Sequence, residues 1–277
     1  MTFANKIVWI TGASSGIGAA LAKTFSNAGA NIILSGRRTK ALEKTKAALQ
    51  TDALILPFEV TDFEALATHV ETAWEWKGRV DILINNAGIS QRSLALQTDP
   101  QVYTRLINVD LIAPIWLTQL NLPKMAKAGG AHIVGISSVA GRIGSPLRTA
   151  YSAAKHGLIG YHDALRTEVE VMRNIKVTNV LPGSVATDVS RNALTKDGSR
   201  RGKSDENIDK GDDPMDCAAA ILRAVENNLP ELIFAHGFEL ELAKMRHSDP
   251  EKLFQMLGPL GAQLAAEYNA GEDDKGY

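Results

Sequence analysis

Short apolar runs rich in branched side chains recur along this chain, each followed by a helix-length stretch, and that rhythm leaves few ways to fold. The first, Lys6 to Thr11 (Lys-Ile-Val-Trp-Ile-Thr), has the composition of a strand buried on both faces. It ends in a glycine-rich turn, Thr11-Gly12-Ala13-Ser14-Ser15-Gly16-Ile17-Gly18, which opens a helical pattern with Leu21, Phe25 and Ala28 on one face. Further strands are expected at Asn31 to Ser35, Ala53 to Val60, Ile82 to Ile84, His132 to Ser138, Lys176 to Leu181 and Leu232 to Ala235. Strands alternating with helices imply an α/β fold, with parallel pairing and helices on both faces of the sheet. Ligands of such sheets collect beyond the carboxyl ends of the strands.

The glycine turn lies at such an end. Glycine lets backbone N–H groups close on a phosphate at the positive pole of the helix that follows. Glycines at 12, 16 and 18 depart from the common G-x-G-x-x-G spacing. At the end of the second strand, where dinucleotide folds place an acid for ribose hydroxyls, there is no carboxylate from Asn31 to Leu42. Arg37, with Arg38 and Ser14, stands there instead and points to a 2′-phosphate, hence to NADP(H); the alternative for an arginine pair opening a helix is plain solvation. Glu59, Val60 and Asn86-Ala87-Gly88 fall at the ends of the next two strands.

The chemistry is expected from Tyr151-Ser152-Ala153-Ala154-Lys155, thirteen residues after Ser138. Positions four apart share a helix face, so a lysine ammonium stands beside a phenol. A nearby cation favours the ionised phenol, which makes such a tyrosine usable as a general acid or base. The spacing also arises by chance on surface helices, and the preceding residues decide between the two.

Taken in order, Thr11-Gly12-x-x-x-Gly16-x-Gly18, Asn85-Asn86-Ala87-Gly88, Asn108, Ser138, Tyr151-x-x-x-Lys155 and Pro182-Gly183-x-x-x-Thr187 resemble the short-chain dehydrogenase/reductase family, over about residues 5 to 236. The resemblance implies a Rossmann-type, doubly wound sheet of seven strands. By position it makes Tyr151 the proton donor to a carbonyl and Ser138 a hydrogen-bond donor to its oxygen. Lys155 would tune Tyr151 and bind the nicotinamide ribose, and Asn108 would hold a water on the proton path. The turn Gly12, Ser14, Ser15, Gly16, Ile17, Gly18 would take the phosphates, and Pro182, Gly183, Val185 and Thr187 the carboxamide end. Glu59 stands where the family often has an aspartate for adenine. The stretch Asn85 to Arg92 and the lid beginning at Thr187 resemble the group that includes 11β-hydroxysteroid-type and member-7-type dehydrogenase/reductases. Relatives pair helices between subunits, so a homodimer or homotetramer is implied.

A polar segment, about residues 187–213, is either a substrate lid or disorder, and its position favours the lid. Its cluster Arg200-Arg201-Gly202-Lys203 either selects an acidic substrate or is a solvated loop, and the second is the plainer reading. Ser90, Gln91, Ser138, Ile143, Gly144, Leu147 and Ser184 are the expected pocket, suited to a partly apolar ketone, aldehyde or secondary alcohol. Beyond about residue 237, apolar residues at helical spacing suggest extra helices on the core or a subunit contact, and Glu272 to Tyr277 a frayed tail.

One catalytic domain accounts for the 277 residues. A net charge of −1 with dispersed basic residues argues against nucleic acid or a charged membrane as partner. The single cysteine, Cys217, suits a reducing compartment, and no leader pattern opens the chain, so a cytoplasmic protein is expected. The six histidines show no metal-ligand spacing, and no metal is assigned. The leading expectation is an NADPH-dependent carbonyl reductase or alcohol dehydrogenase. Epimerisation or dehydration with the same cofactor, and nucleotide sensing without turnover, are the alternatives.

Overall fold

The computed structural model describes residues 3–272. The frayed tail expected from Glu272 lies, that residue apart, outside the described residues. Seven parallel strands form one sheet in the order β3-β2-β1-β4-β5-β6-β7. They are β1 (Ile7–Thr11), β2 (Asn31–Gly36), β3 (Ala53–Pro57), β4 (Ile82–Asn85), β5 (Ala131–Ile136), β6 (Ile175–Pro182) and β7 (Glu231–Phe234). The order reverses between β1 and β4, which places a crevice at the carboxyl ends of those two strands.

Alternation along β1 assigns its side chains to the two faces. Val8 and Ile10 pack with Leu21 and Phe25 of α1 (Gly16–Asn27) and with Cys217 and Ile221 of α8 (Pro214–Glu226). Ile7 and Trp9 face the opposite layer, against Val70 and Trp74 of α3 (Leu66–Lys77), Leu117 of α5 (Ala113–Lys127) and Leu165 of α6 (Thr149–Arg173). The helix α2 (Thr39–Lys46) follows β2. Burial pushes the Cys217 thiol up to about 12, so it acts as a core residue rather than as a nucleophile.

Three helices begin with Asp-Pro, and local chemistry sets their starts. Asp99 accepts a bond from Gln101 N at 2.8 Å ahead of α4 (Pro100–Ile107), and Asp213 one from Met215 N at 2.7 Å ahead of α8. Asp249 accepts one from Lys252 N at 3.0 Å ahead of α10 (Pro250–Asn269). In each, proline occupies a first-turn position whose N–H has no partner within the helix. Between α4 and α5 the chain runs through a π-helical turn, Asn108–Ile112, which carries one residue more than an α-turn.

The strand and helix expectations hold, with shifts of a few residues. The third strand stops at Pro57 instead of reaching Val60, and its helix starts at Leu66, because Val60 to Ala65 form turns at the sheet edge. The region beyond β7 forms α9 (Gly237–Ser248) and α10. Their Leu242, Leu253 and Leu257 pack on Val139 and Ile143, so the extension covers the segment leading into α6. Among the described residues no helix is long and apolar enough to cross a membrane.

Candidate active site

The carboxyl ends of β1 to β6 open on one cleft of about 1120 Å³. The glycine turn, Arg37, Arg38, Glu59, Val60, Asn86, Ala87, Gly88, Asn108, Ser138, Tyr151, Lys155, Pro182, Gly183, Val185 and Thr187 all line it. Residues spread over 175 positions of sequence, from 12 to 187, thus face a common space.

At one end the glycine turn packs on the end of β4. Thr11 Oγ1 accepts from Asn86 N and Ala87 N at 3.0 Å each, and Asn86 Nδ2 donates to Thr11 O at 2.9 Å. Gly12 has φ +67°, and a Cβ there would lie 2.8 Å from Asn86 Nδ2; one at Gly18 would run into Gly12 O. The first turn of α1 holds no acidic residue, and Ser15 makes no side-chain capping bond. A close-packed turn that opens a helix with neither a capping side chain nor an acid in its first turn suits a dinucleotide phosphate. Arg38 Nη2 donates to Ser14 Oγ at 3.0 Å and Ser15 Oγ at 2.9 Å, while Arg37 Nη1 lies 3.2 Å from Glu59 Oε2. Both guanidinium groups are exposed and stand beside the turn.

At the other end α6 presents Tyr151 and Lys155 one turn apart, with Lys155 Nζ 5.5 Å from the Tyr151 ring centre. Lys155 is buried, and its Nζ donates to Ile136 O at 3.0 Å. Ser137 Oγ donates to Lys155 O at 2.9 Å, which fastens the helix to the end of β5. Ser138 Oγ accepts from Ala140 N at 3.1 Å and donates to Pro182 O at 3.3 Å, so the hydroxyl is held at the junction of β5 and β6.

One side chain that reaches Lys155 was not among the expected site residues. Asn108 lines the cleft, but the ion pair with Lys155 is made by Asp110, whose Oδ2 lies 3.1 Å from Nζ. Asp110 Oδ1 also accepts from Ile89 N at 2.9 Å. The π turn brings position 110, two residues on, to face α6. A signal was present in Val109-Asp110-Leu111-Ile112-Ala113: a carboxylate inside an apolar helical run needs a buried partner. Burial opposes the Lys155 ammonium, but Asp110 and Tyr151 outweigh it and hold the amine above the ordinary lysine value.

The expected pocket fares less well. Of its members Ser138 lines the cleft, whereas Ser90, Gln91, Ile143, Gly144, Leu147 and Ser184 do not. Gln91 is fully buried: its Oε1 accepts from Ala150 N at 2.8 Å and its Nε2 donates to Ser93 Oγ at 3.0 Å. Ile143 and Leu147 are buried, Ile143 beneath the C-terminal helices, and Ser184 is bonded to Glu239 of α9. The cleft wall here is instead formed by Ile89, Val102, Val189, Asn192 and Leu194.

The segment following Thr187 is folded. Ala193, Leu194 and Ile208 are buried, the last in the short helix α7 (Glu206–Asp209). At its base Asp205, 0% exposed, meets Arg201 at 2.8 Å, Arg148 at 2.5 Å and Arg92 at 3.4 Å, and accepts from Ser190 Oγ at 2.9 Å. Burial works against this carboxylate, yet the three guanidinium groups together hold its pKa below the ordinary range. Arg201, expected in a solvated cluster, thus has a buried side chain that serves as a structural cation, while Arg200 is exposed at the cleft.

A parallel α/β sheet with a glycine-turn phosphate cradle and a Tyr–Lys pair across the cleft defines a class of nucleotide-dependent oxidoreductases. The chain belongs to the short-chain dehydrogenase family, whose model matches residues 6–198. It is 36% identical over 262 residues to the dehydrogenase/reductase SDR family member 7B of Bos taurus, covering 91% of this chain and 80% of that protein. With the SDR family protein 7-like dehydrogenase/reductase of Drosophila melanogaster it shares 38% over 267 residues, covering 94% and 82%. A short-chain dehydrogenase from Streptomyces avermitilis superposes with a TM-score of 0.77 at 30% identity, over 98% of both chains. A short-chain dehydrogenase/reductase from Burkholderia phymatum, solved in complex with NAD, shares the fold with a TM-score of 0.80 at 21% identity, over 91% of this chain and 96% of the other.

Proposed function

We propose that this protein is an NADP(H)-dependent reductase of ketones or aldehydes, or a dehydrogenase of the corresponding secondary or primary alcohols. The observation that carries the reading is one cleft with the glycine turn and two arginines at one end and Ser138, Tyr151 and Lys155 at the other. A dinucleotide held between the glycine turn and Thr187 would supply the hydride for the carbonyl carbon. As negative charge grows on the carbonyl oxygen, the Tyr151 hydroxyl gives it a proton and the Ser138 hydroxyl, turning from Pro182 O, donates a hydrogen bond to it, which lowers the barrier. The product is the alcohol, and Tyr151 regains its proton from solvent; in the oxidation direction the same groups run in reverse. Lys155 keeps a cation beside the phenol and has a third N–H to offer a ribose hydroxyl.

Arg37 and Arg38 support NADP(H) over NAD(H), since they offer guanidinium donors where an acid would bind the 2′-hydroxyl. The NAD found with the Burkholderia phymatum protein belongs to a relative of 21% identity, and the residues at this chain's own β2 end carry the assignment. The substrate wall of Ile89, Val102, Val189 and Leu194 with Ser138 and Asn192 suits a partly apolar molecule. The test is nicotinamide absorbance during incubation with a panel of ketones, aldehydes and quinones, run with NADPH and NADH in parallel. Oxidation of NADPH with carbonyl substrates is expected; equal use of NADH would remove the cofactor assignment, and no turnover of either would remove the activity.

A further inference from the structure

Among the described residues Asp110 is the one carboxylate buried against the Tyr151–Lys155 pair, and the reading above gives it no role in the reaction. Its surroundings leave it little freedom. One oxygen is fixed by Ile89 N at 2.9 Å and the other faces Lys155 Nζ at 3.1 Å. Gly88 covers the pair so closely that a Cβ there would lie 3.0 Å from Asp110 Oδ2 and 3.4 Å from Lys155 Nζ. On the far side the π turn presses against α6, where a Cβ on Gly157 would meet Leu111 at 2.8 Å. An ammonium and a carboxylate sealed together this way attract more strongly than a surface pair, since little water lies between them to screen them.

We propose that Asp110 is a positioning residue that pins Lys155 and cancels part of its charge, so that the Tyr151 hydroxyl responds to an ion pair rather than to a lone cation. The inference rests on the functional reading above for the role of Tyr151, and on geometry for the rest. The charges bearing on the pair are its own and the Tyr151 oxygen. Other charged groups along this part of the cleft, Asp99, Arg105, Asp188, Asp197 and Arg200, are exposed and screened by solvent. Burial pushes the Asp110 carboxyl above the ordinary carboxylate value, and the pull of Lys155 opposes that shift without cancelling it.

The test reads the tyrosine directly. Wild type, Asp110→Asn, Lys155→Gln and the double variant are titrated by ultraviolet tyrosinate absorbance, each against the same protein carrying Tyr151→Phe, without nucleotide or substrate. In Asp110→Asn the ammonium is uncompensated, and the midpoint of the Tyr151-dependent signal should move down by about one pH unit. In Lys155→Gln the carboxylate remains and the midpoint should move up. The double variant loses both charges and should return close to wild type. If the lone ammonium keeps Asp110→Asn from folding, Lys155→Gln compared with the double variant isolates the carboxylate, and removing it should lower the midpoint. Midpoints that do not move between the folded members of either pair overturn the proposal. The titration needs no turnover, so a chain that reduced no carbonyl would defeat the functional reading while leaving this result readable.

Discussion

Ser184 gives both of its donors to one carboxylate: its N–H bonds Glu239 Oε2 and its hydroxyl bonds Glu239 Oε1, each at 2.8 Å. Glu239 lies on α9, and Ser184 lies in the turn that follows β6 and lines the cleft through Gly183, Val185 and Thr187. A side chain at Gly183 would collide with the same carboxylate, so the turn and the C-terminal helix are fitted to each other. Glu239→Ala should therefore loosen one wall of the nucleotide site without touching the other. We expect the dissociation constant of NADPH to rise roughly tenfold, in keeping with loss of hydrogen bonds to a charged group. Binding of 2′,5′-ADP, which would use the Arg37 end alone, should stay unchanged, and Glu239→Gln, with one acceptor left, should fall between. Calorimetric titration of both ligands checks this, and equal weakening of the two would point to a general loss of structure.

Arg37 pairs with Glu59 and Arg38 with Ser14 and Ser15, so both guanidinium groups are held beside the phosphate turn. Arg37→Asp should lower kcat/KM with NADPH by roughly ten- to a hundredfold and raise that with NADH, since a carboxylate repels a 2′-phosphate and accepts from ribose hydroxyls. Arg38→Ala should weaken NADPH alone. A cofactor ratio unchanged by both substitutions, measured by steady-state kinetics, would take the arginines out of the site.

Tyr151→Phe keeps the ring and removes the proton. Turnover should fall roughly 10²- to 10⁴-fold while NADPH affinity, followed by fluorescence titration, stays within about twofold. Near-normal turnover would exclude Tyr151 as the acid.

Two buried histidines make the fold sensitive to acid. His132 bonds Thr178 Oγ1 at 2.8 Å and His162 bonds Asn179 Oδ1 at 2.9 Å through Nδ1, and burial depresses both to about 4. An unfolded chain binds protons on these rings below about pH 6.5, whereas the fold does not until about pH 4. Their contribution is present above the unfolded value and is lost as the pH falls through that window, about 3 kcal/mol apiece by pH 4. Urea midpoints should drop steadily from pH 7 to pH 4.5, and His162→Gln should flatten the decline. Parallel pH dependence in wild type and variant would contradict it.

Much of this molecule could be read from its residues because the relevant signals are local. A glycine turn after a strand, an arginine pair after the next, and Tyr151 four positions before Lys155 each carry their geometry with them. Asp110 escaped because its placement depends on a π turn, which has no strong signature. The pocket residues were missed for another reason: nearness in sequence to the catalytic residues does not fix which way a loop side chain turns. Gln91 spends its polar atoms on Ala150 and Ser93, and Ile143 lies under helices supplied from the far end of the chain. Arg201 looked like a surface charge because its partners, Asp205 and Ser190, are brought to it by the tertiary fold.

The Asp205 cluster has a further consequence. Ser190 Oγ donates to the Asp205 carboxylate and accepts from Asp205 N at 3.0 Å, so the two ends of the intervening stretch are stapled together at its base. Residues 191–204 therefore leave and re-enter the body of the protein at one point, and Asn192 and Leu194 within them face the cleft. The stretch is thus a closed loop gripped at its base by Ser190, Asp205 and three arginines, and Leu194 within it is tied to Ser90 and Arg92 by backbone hydrogen bonds at 2.8 Å each, so its cleft-facing residues are held at both levels.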